Sequence, residues 1–225
     1  MDRPKSAKMK NVLEKLSEDK AEKLLKKYGI TFASHILAKT PEQAVKAANE
    51  LGYPVVMKVA SDDVLHKTET GGVMTDIRNN KEVAGAFNII TRKVKKIPNA
   101  RVDGVLVQHM FPGREVIIGA KRDPQFGPVI MFGLGGVFVE VMKDVSFRLV
   151  PVEPEDVKEM IAEIKGYPVL KGVRGKPPVN FKALERCMLG VSRLMHNRKD
   201  IQEMDLNPVM INEKQAIAVD VRILS

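Results

Sequence analysis

Pro54-Val-Val-Met-Lys-Val59, followed by His66-Lys-Thr-Glu-Thr-Gly-Gly-Val73, reads as an apolar strand that ends in a lysine and feeds a polar loop closed by two glycines. Lys58 carries a compact positive charge, and Gly71 and Gly72 permit positive φ angles and close backbone approach, so amide N–H groups there can cradle phosphate oxygens. His66 stands at the mouth of the loop, where an imidazole that titrates near neutrality can take up a phosphoryl group. Each feature also has a plainer reading. Paired glycines between strands are most often only a turn, and this loop does not match GxxxxGK[ST]. A strand-end lysine usually snorkels to water, and a histidine in a polar loop is usually solvated.

Outward from the loop, hydrophobic spacing marks the elements. Ala21, Leu24, Leu25 and Tyr28 recur at helical intervals up to Gly29. Thr40, with Pro41 in the first turn and Gln43 three residues on, predicts a capping box for a second helix that Gly52 ends before a strand over 53–59. A strand returns over 73–77, and Val83, Phe87, Ile90 and Val94 mark a further helix. The expectation is an N-terminal tail over 1–18 and a first α/β lobe over 19–103.

A second lobe is expected over 104–225. Strands over 104–110, 115–122 and 128–132 are joined by the turn signals Phe111-Pro-Gly113 and Asp123-Pro-Gln125, which predict antiparallel neighbours. Gly133-Leu-Gly-Gly136 forms a glycine loop before strands over 137–141 and 145–152. Helical stripes follow on Val157, Met160, Ile161 and Ile164, then on Phe181, Leu184, Met188, Val191 and Met195, and these are core faces.

The closing segment reads as a hairpin. With a turn over 212–215, Ile211 faces Ala216, and counting back in twos sets Asn207 opposite Asp220. Val219 and Val221 take the buried face. One carboxylate and one amide oxygen then project together, a donor pair for a hard cation that also takes phosphate oxygens. Asp205 falls opposite Arg222, and there a cross-strand ion pair is the better reading. Pro208 lacks an N–H, which points to an edge or irregular strand.

The 225 residues are 44% hydrophobic, enough for a real core, with a formal net charge of +9. Basic residues alternate with acids, tryptophan is absent, and no basic stripe carries interleaved aromatics, so a nucleic-acid partner is not expected and an anionic nucleotide or acidic partner is. No apolar run approaches the ~18 residues of a membrane span, and the first residues lack the apolar stretch of a secretory signal, so a cytoplasmic protein with no membrane association is expected. The single cysteine, Cys187, lies on an apolar helix face and reads as packing.

Leu65-His-Lys-Thr-Glu-Thr-Gly-Gly-Val73, Gly113-Arg-Glu-Val116, Lys121-Arg-Asp-Pro-Gln-Phe-Gly127, Met131-Phe-Gly-Leu-Gly-Gly-Val-Phe-Val-Glu140, Lys143-Asp-Val-Ser-Phe-Arg148 and Asp205-Leu-Asn-Pro208 occur in one order. This series resembles the ATP-grasp β subunit of ADP-forming acetyl-CoA synthetase, related to succinyl-CoA synthetase, from about residue 19 to the end. The resemblance implies an α+β ATP-grasp fold, two α/β lobes gripping ADP or ATP with Mg2+. It implies that Lys58, Gly71 and Gly72 meet nucleotide phosphates, that Val107, Gln108, His109 and Met110 form the adenine hinge, and that Glu115 holds the ribose. It further implies Asn207 and Asp220 as the Mg2+ ligands, Arg148 near the terminal phosphates, and His66 as the phosphorylated relay. His109 departs from the family pattern, which more often has proline there. Glu22 departs too, where lysine is common, and takes no role.

By the same resemblance, an α subunit supplies the CoA-binding and phosphohistidine domains, most simply in an α2β2 assembly. This chain shows no GxGxxG unit for CoA, which agrees. Two readings from other classes stand beside it. A non-catalytic nucleotide-sensing module would be favoured by a missing His66 or metal pair, and both are present. A basic nucleic-acid binder would be stabilised by oligonucleotide rather than by ADP and Mg2+.

Overall fold

The computed structural model describes residues 13–61, 70–98, 100–136, 142–173 and 175–225. Its chain forms two compact units, one of Ala33–Pro112 and one made of the described residues before and after it. The smaller unit carries a four-stranded sheet in the order β1-β4-β2-β3, from β1 (His35–Ala38), β2 (Val55–Ala60), β3 (Val73–Ile77) and β4 (Gly104–His109), all antiparallel. Helices α2 (Pro41–Leu51) and α3 (Asn80–Val94) cover one face. Alternation decides which side is covered: Val55, Met57 and Val59 are buried while Val56, Lys58 and Ala60 are only partly so. The buried set joins Ala44, Ala48, Val83, Ile90, Val105 and Val107 in one core. Full burial of each of the larger side chains contributes roughly 1.5–3 kcal/mol.

The helix caps follow the sequence closely. Thr40 Oγ1 accepts the Gln43 N–H at 3.2 Å, but Gln43 Oε1 accepts the Lys39 N–H at 2.8 Å, so the return bond lands one residue ahead of the cap. Asn79 caps α3 through the Glu82 N–H.

The larger unit is a six-stranded antiparallel sheet in the order β10-β8-β5-β6-β7, with β9 paired to β8. These strands are β5 (Arg114–Asp123), β6 (Gly127–Leu134), β7 (Val145–Leu149), β8 (Glu203–Ile211), β9 (Ala216–Ala218) and β10 (Arg222–Leu224). Its core gathers Val116, Ile118 and Ala120 of β5 with Met160 of α4 (Pro154–Glu163), Leu170 of α5 (Tyr167–Lys171) and Met188 of α6 (Phe181–Asn197). Cys187 is buried in α6 and burial pushes its thiol up to about 12, which fits packing rather than chemistry.

Three expectations need correction. The first lobe does not close at residue 103, because β4 pairs with β1 and β2 and not with β5; short turns were a poor guide to pairing here. The helix expected at the start of the first lobe, α1 (Glu18–Lys27), joins the other unit, where Ala21, Leu24 and Leu25 enter the larger core. Part of the expected tail is also ordered: Glu14 and Leu16 donate their N–H groups to Ser225 O and Ile223 O at 2.8 and 2.9 Å. Strand β1 and the five-residue α5 had no periodic signal long enough to announce them. The strand expected over 137–141 lies outside the described residues.

Candidate active site

In the smaller unit, Lys58 lies opposite Leu106 on one side and Val73 on the other, so its side chain leaves the sheet on the face away from the helices. The Val59 N–H donates to Gly72 O at 2.7 Å, which ties the closing glycine of the loop to the lysine's strand. Gly71 adopts φ 68°, the left-handed region that favours glycine. His66 lies outside the described residues.

Four residues were expected to form a hinge, and the structure treats them unequally. Val107 and Gln108 pair with β1 through Ile36 and His35 and with β2 through Met57 and Val56, so the sheet occupies both edges at these positions. The Val107 side chain is core, and Gln108, 3% exposed, donates Nε2 to Ala33 O at 3.0 Å. The Met110 N–H is given to Pro54 O. His109 Nδ1 lies 2.9 Å from the Gly52 carbonyl at the end of α2, and its ring meets Phe111 edge-on at 5.0 Å. The imidazole that stands where proline is common therefore fastens the end of β4 to a helix terminus.

In the larger unit the hairpin register holds. Ile211 pairs with Ala216 and Val209 with Ala218, while beyond the break Arg222 pairs with Asp205 and Ile223 with Met204. Both stretches share one register, so Asn207 falls opposite Asp220 although β9 and β10 are separate strands. Val221 is buried as expected, whereas Val219 is only half-buried. Between Val116 and Ile118 of β5 the pairing shifts by one, so Asn207 and Pro208 together oppose Ile117. Such a bulge re-aims a side chain and ends regular pairing. Asn207 is exposed there, and Asp220 keeps one carboxylate oxygen on the Val221 N–H at 2.9 Å.

Asp205 faces Arg222 in register, yet the Arg222 guanidinium forms an ion pair with Glu203 at 4.0 Å. Burial raises the Asp205 carboxyl to about 6; Glu203 and Asp220 add to the rise, and Arg222 opposes it. Glu203 and Asp220 thus lie near enough to Asp205 to act on its carboxyl, and oxygen donors of this kind fit a hard cation. Among the described residues no group of three or more His, Cys, Asp or Glu side chains is arranged for a metal ion. A cation here must complete its shell with ligand oxygens or water, as magnesium commonly does.

Glu115 opens β5 and its carbonyl accepts the Gly135 N–H at 2.8 Å. A Cβ on Gly135 would lie 2.9 Å from the Glu115 Cβ, so glycine is required for the glycine loop to pass this residue. Arg148 does not join the group. It pairs in register with Ile130, a core residue, and reaches Glu163 and Glu159 of α4 at 2.9 and 3.5 Å. Strand alternation turns it to the helix-covered side of the sheet, while its neighbours Phe147 and Leu149 are exposed.

A family model for the ATP-grasp domain matches residues 7–224. The chain is 46% identical to acetate–CoA ligase [ADP-forming] I subunit beta of Pyrococcus furiosus, covering 97% of this chain and 98% of that one. The chain belongs to the ATP-grasp β subunits of ADP-forming acetate–CoA ligases. This β subunit superposes with a TM-score of 0.89, at 45% identity, on an acetyl-coenzyme A synthetase of Ca. Korarchaeum cryptofilum in complex with coenzyme A and Ca-AMPCP, covering 94% and 93% of the two chains. A second structure of that synthetase is described with coenzyme A, Mg-AMPPCP and its phosphohistidine segment pointing towards the nucleotide binding site; it matches with a TM-score of 0.79 at 41% identity over 93% and 92% of the chains. The β subunit is therefore part of a ligase that uses nucleotide, and the naming of its Pyrococcus furiosus relative as subunit beta implies an α partner. No helix among the described residues is long and apolar enough to cross a membrane.

Proposed function

We propose that this β subunit passes a phosphoryl group between its α partner and ADP by way of His66, within the reaction acetyl-CoA + ADP + phosphate = acetate + CoA + ATP. The P–N bond of the phosphohistidine, protonated on its other ring nitrogen, breaks as a terminal oxygen of ADP forms the new P–O bond, and the imidazole leaves neutral with that proton. Transfer of this kind depends on alignment and charge neutralisation more than on covalent help from the protein. Lys58 and the amides of Gly71 and Gly72 hold the phosphates. His109, Met110 and the residues after them meet the base, because the edges of Val107 and Gln108 are already used by the sheet. Glu115 binds the ribose hydroxyls.

Asn207 and Asp220 would hold Mg2+, which would supply charge neutralisation for the phosphates. The observation that supports this reading is the unchanged register on both sides of the break, by which position 207 counts opposite position 220. The similar synthetase described with Mg-AMPPCP supports the same metal. Arg148 is assigned no part in the transfer, because its guanidinium faces Glu159 and Glu163 of α4. The assembly is α2β2 and cytoplasmic, with CoA and the acyl group bound by the partner.

The deciding experiment is incubation of the chain with γ-labelled ATP and Mg2+. Acid-labile, alkali-stable label that is lost in His66→Asn supports the relay. A nucleotide-sensing module would bind Mg-ADP and take up no label.

A further inference from the structure

At one end of the β2–β3 ladder two side chains are left without partners. Lys58 pairs with Val73, and Val59 bonds to Gly72, so Ser61 and Gly71 stand where the chain leaves and re-enters the ladder. Ser61 is 5% exposed, and its Oγ is buried with no hydrogen-bond partner. Leaving such a group unsatisfied costs about 1–3 kcal/mol, so a ligand that accepts its proton would recover that cost. From the last turn of α3, Lys93 lies over Gly71. A Cβ on that glycine would stand 2.7 Å from the lysine Cδ and 2.8 Å from its Nζ. Gly71 is favoured as glycine by its positive φ, and the end of the lysine side chain lies where a Cβ would stand.

The Lys93 ammonium makes no hydrogen bond or ion pair with any described residue. Arg92, Lys95 and Lys96 beside it are exposed and equally unpaired among the described residues. Cations in a last helical turn complement the helix dipole, and that accounts for their presence. It does not account for one of them folding back over a glycine, or for a buried hydroxyl left open at the same loop base.

We propose that Ser61 Oγ, Lys93 Nζ and the Gly71 N–H form a phosphoryl-oxyanion site at the base of the β2–β3 connection. The hydroxyl and the amide donate hydrogen bonds, and the ammonium supplies charge. The ligand is a phosphate dianion, either free inorganic phosphate or a phosphoryl group attached to the chain. The second source rests on the relay reading; the first does not.

The test follows the Gly71 amide by 1H–15N NMR in the full-length chain held at saturating ADP. In one arm inorganic phosphate is titrated in. In the other, the chain is treated with Mg2+ and ATP and then desalted. Movement of the Gly71 signal in the first arm identifies free phosphate, and movement only in the second identifies a bound phosphoryl group. Lys93→Met, which keeps the aliphatic stem, should weaken the effect by on the order of tenfold, and Ser61→Ala by roughly threefold or more. Lys93→Arg should restore it. Lys93 is exposed, so Lys93→Met is expected to fold with an unchanged Tm. A Gly71 signal that stays still in both arms, or moves as far in Lys93→Met as in the parent, overturns the site. If the relay itself is wrong, the second arm is silent while the first still responds.

Discussion

Asn207 and Asp220 face one another across a ladder that keeps a single register on both sides of a break in the pairing strand. The bulge at Asn207 and Pro208 leaves the amide exposed instead of buried in regular pairing. Replacing Asp220 removes a formal charge as well as a ligand, whereas replacing Asn207 removes only a ligand. Asp220→Ala should therefore weaken Mg2+-dependent ADP binding by on the order of tenfold or more, with a smaller loss in Asn207→Ala. Calorimetric titration with and without Mg2+ checks this. Parent-like Mg-ADP binding in both variants would place the metal elsewhere.

Asp205, two residues away, gives the metal-free protein a pH dependence. Its carboxyl stands at about 6 against an ordinary 3.8, chiefly because it is buried. Between those values the folded protein holds a proton that the unfolded chain has lost, so stability falls as pH rises from about 4 to about 6 and then levels off. Asp205→Asn should remove that slope and stabilise the metal-free protein at neutral pH by on the order of 1–2 kcal/mol, after allowance for solvent screening. Urea unfolding at pH 4.5 and pH 7.5 is the measurement. An equal slope in the variant would assign it to other groups.

Arg148 offers the sharpest contrast between resemblance and geometry. Its ion pairs with Glu159 and Glu163 are partly exposed, and such pairs contribute about 0–1 kcal/mol. Arg148→Met should lower Tm by at most roughly 4 °C and leave kcat within about twofold of the parent. A loss of kcat by two orders of magnitude with an unchanged Tm would return the guanidinium to the phosphates.

What the sequence disclosed and what it hid have physical causes. The terminal hairpin could be counted because its turn is short and its side chains alternate, and Ile211 against Ala216 fixes every later pair. The helix after Thr40, through its cap, and the helix over Asn80–Val94, through its apolar stripe, were equally plain. The lobe boundary was hidden, because the partners of β4 come from residues 35–38 and 55–60 and no local signal reports a non-local ladder. The side to which Arg148 turns was available in principle. It alternates with Phe147 and lies in phase with Ser146, whose hydroxyl donates to Met160 O at 2.9 Å. Ser61 and Lys93 carried no motif at all, and only the fold brings them to one loop base.

In the proposed function, His66 is the residue on which the relay depends. His66→Ala and His66→Asn should each abolish synthesis of ATP by the assembled enzyme, while Mg-ADP affinity stays within about threefold of the parent. The asparagine variant keeps a polar side chain and lacks only the phosphorylatable ring nitrogen. Turnover retained in either variant refutes the relay, and loss of ADP binding alongside turnover would make His66 a binding residue instead.

The division of labour between subunits gives the last expectation. In the proposed reading Lys58, Gly71, Gly72, Glu115, Asn207 and Asp220 provide for phosphates, ribose and metal, and none of them is assigned to CoA. On that proposal the acyl phosphate chemistry occurs on the partner, and a phosphoryl group crosses between subunits before ADP receives it. Mixing this chain with acetyl-CoA, phosphate, ADP and Mg2+ should yield no ATP, and adding the CoA-binding α subunit should start synthesis. With excess α subunit the rate should rise linearly with this chain and saturate when the chain is in excess, the mark of an obligatory complex. Light scattering of the mixture should give the mass of two copies of each subunit. ATP formed by the isolated chain would overturn the division, and a complex with one copy of each would overturn the α2β2 assembly while leaving the relay intact.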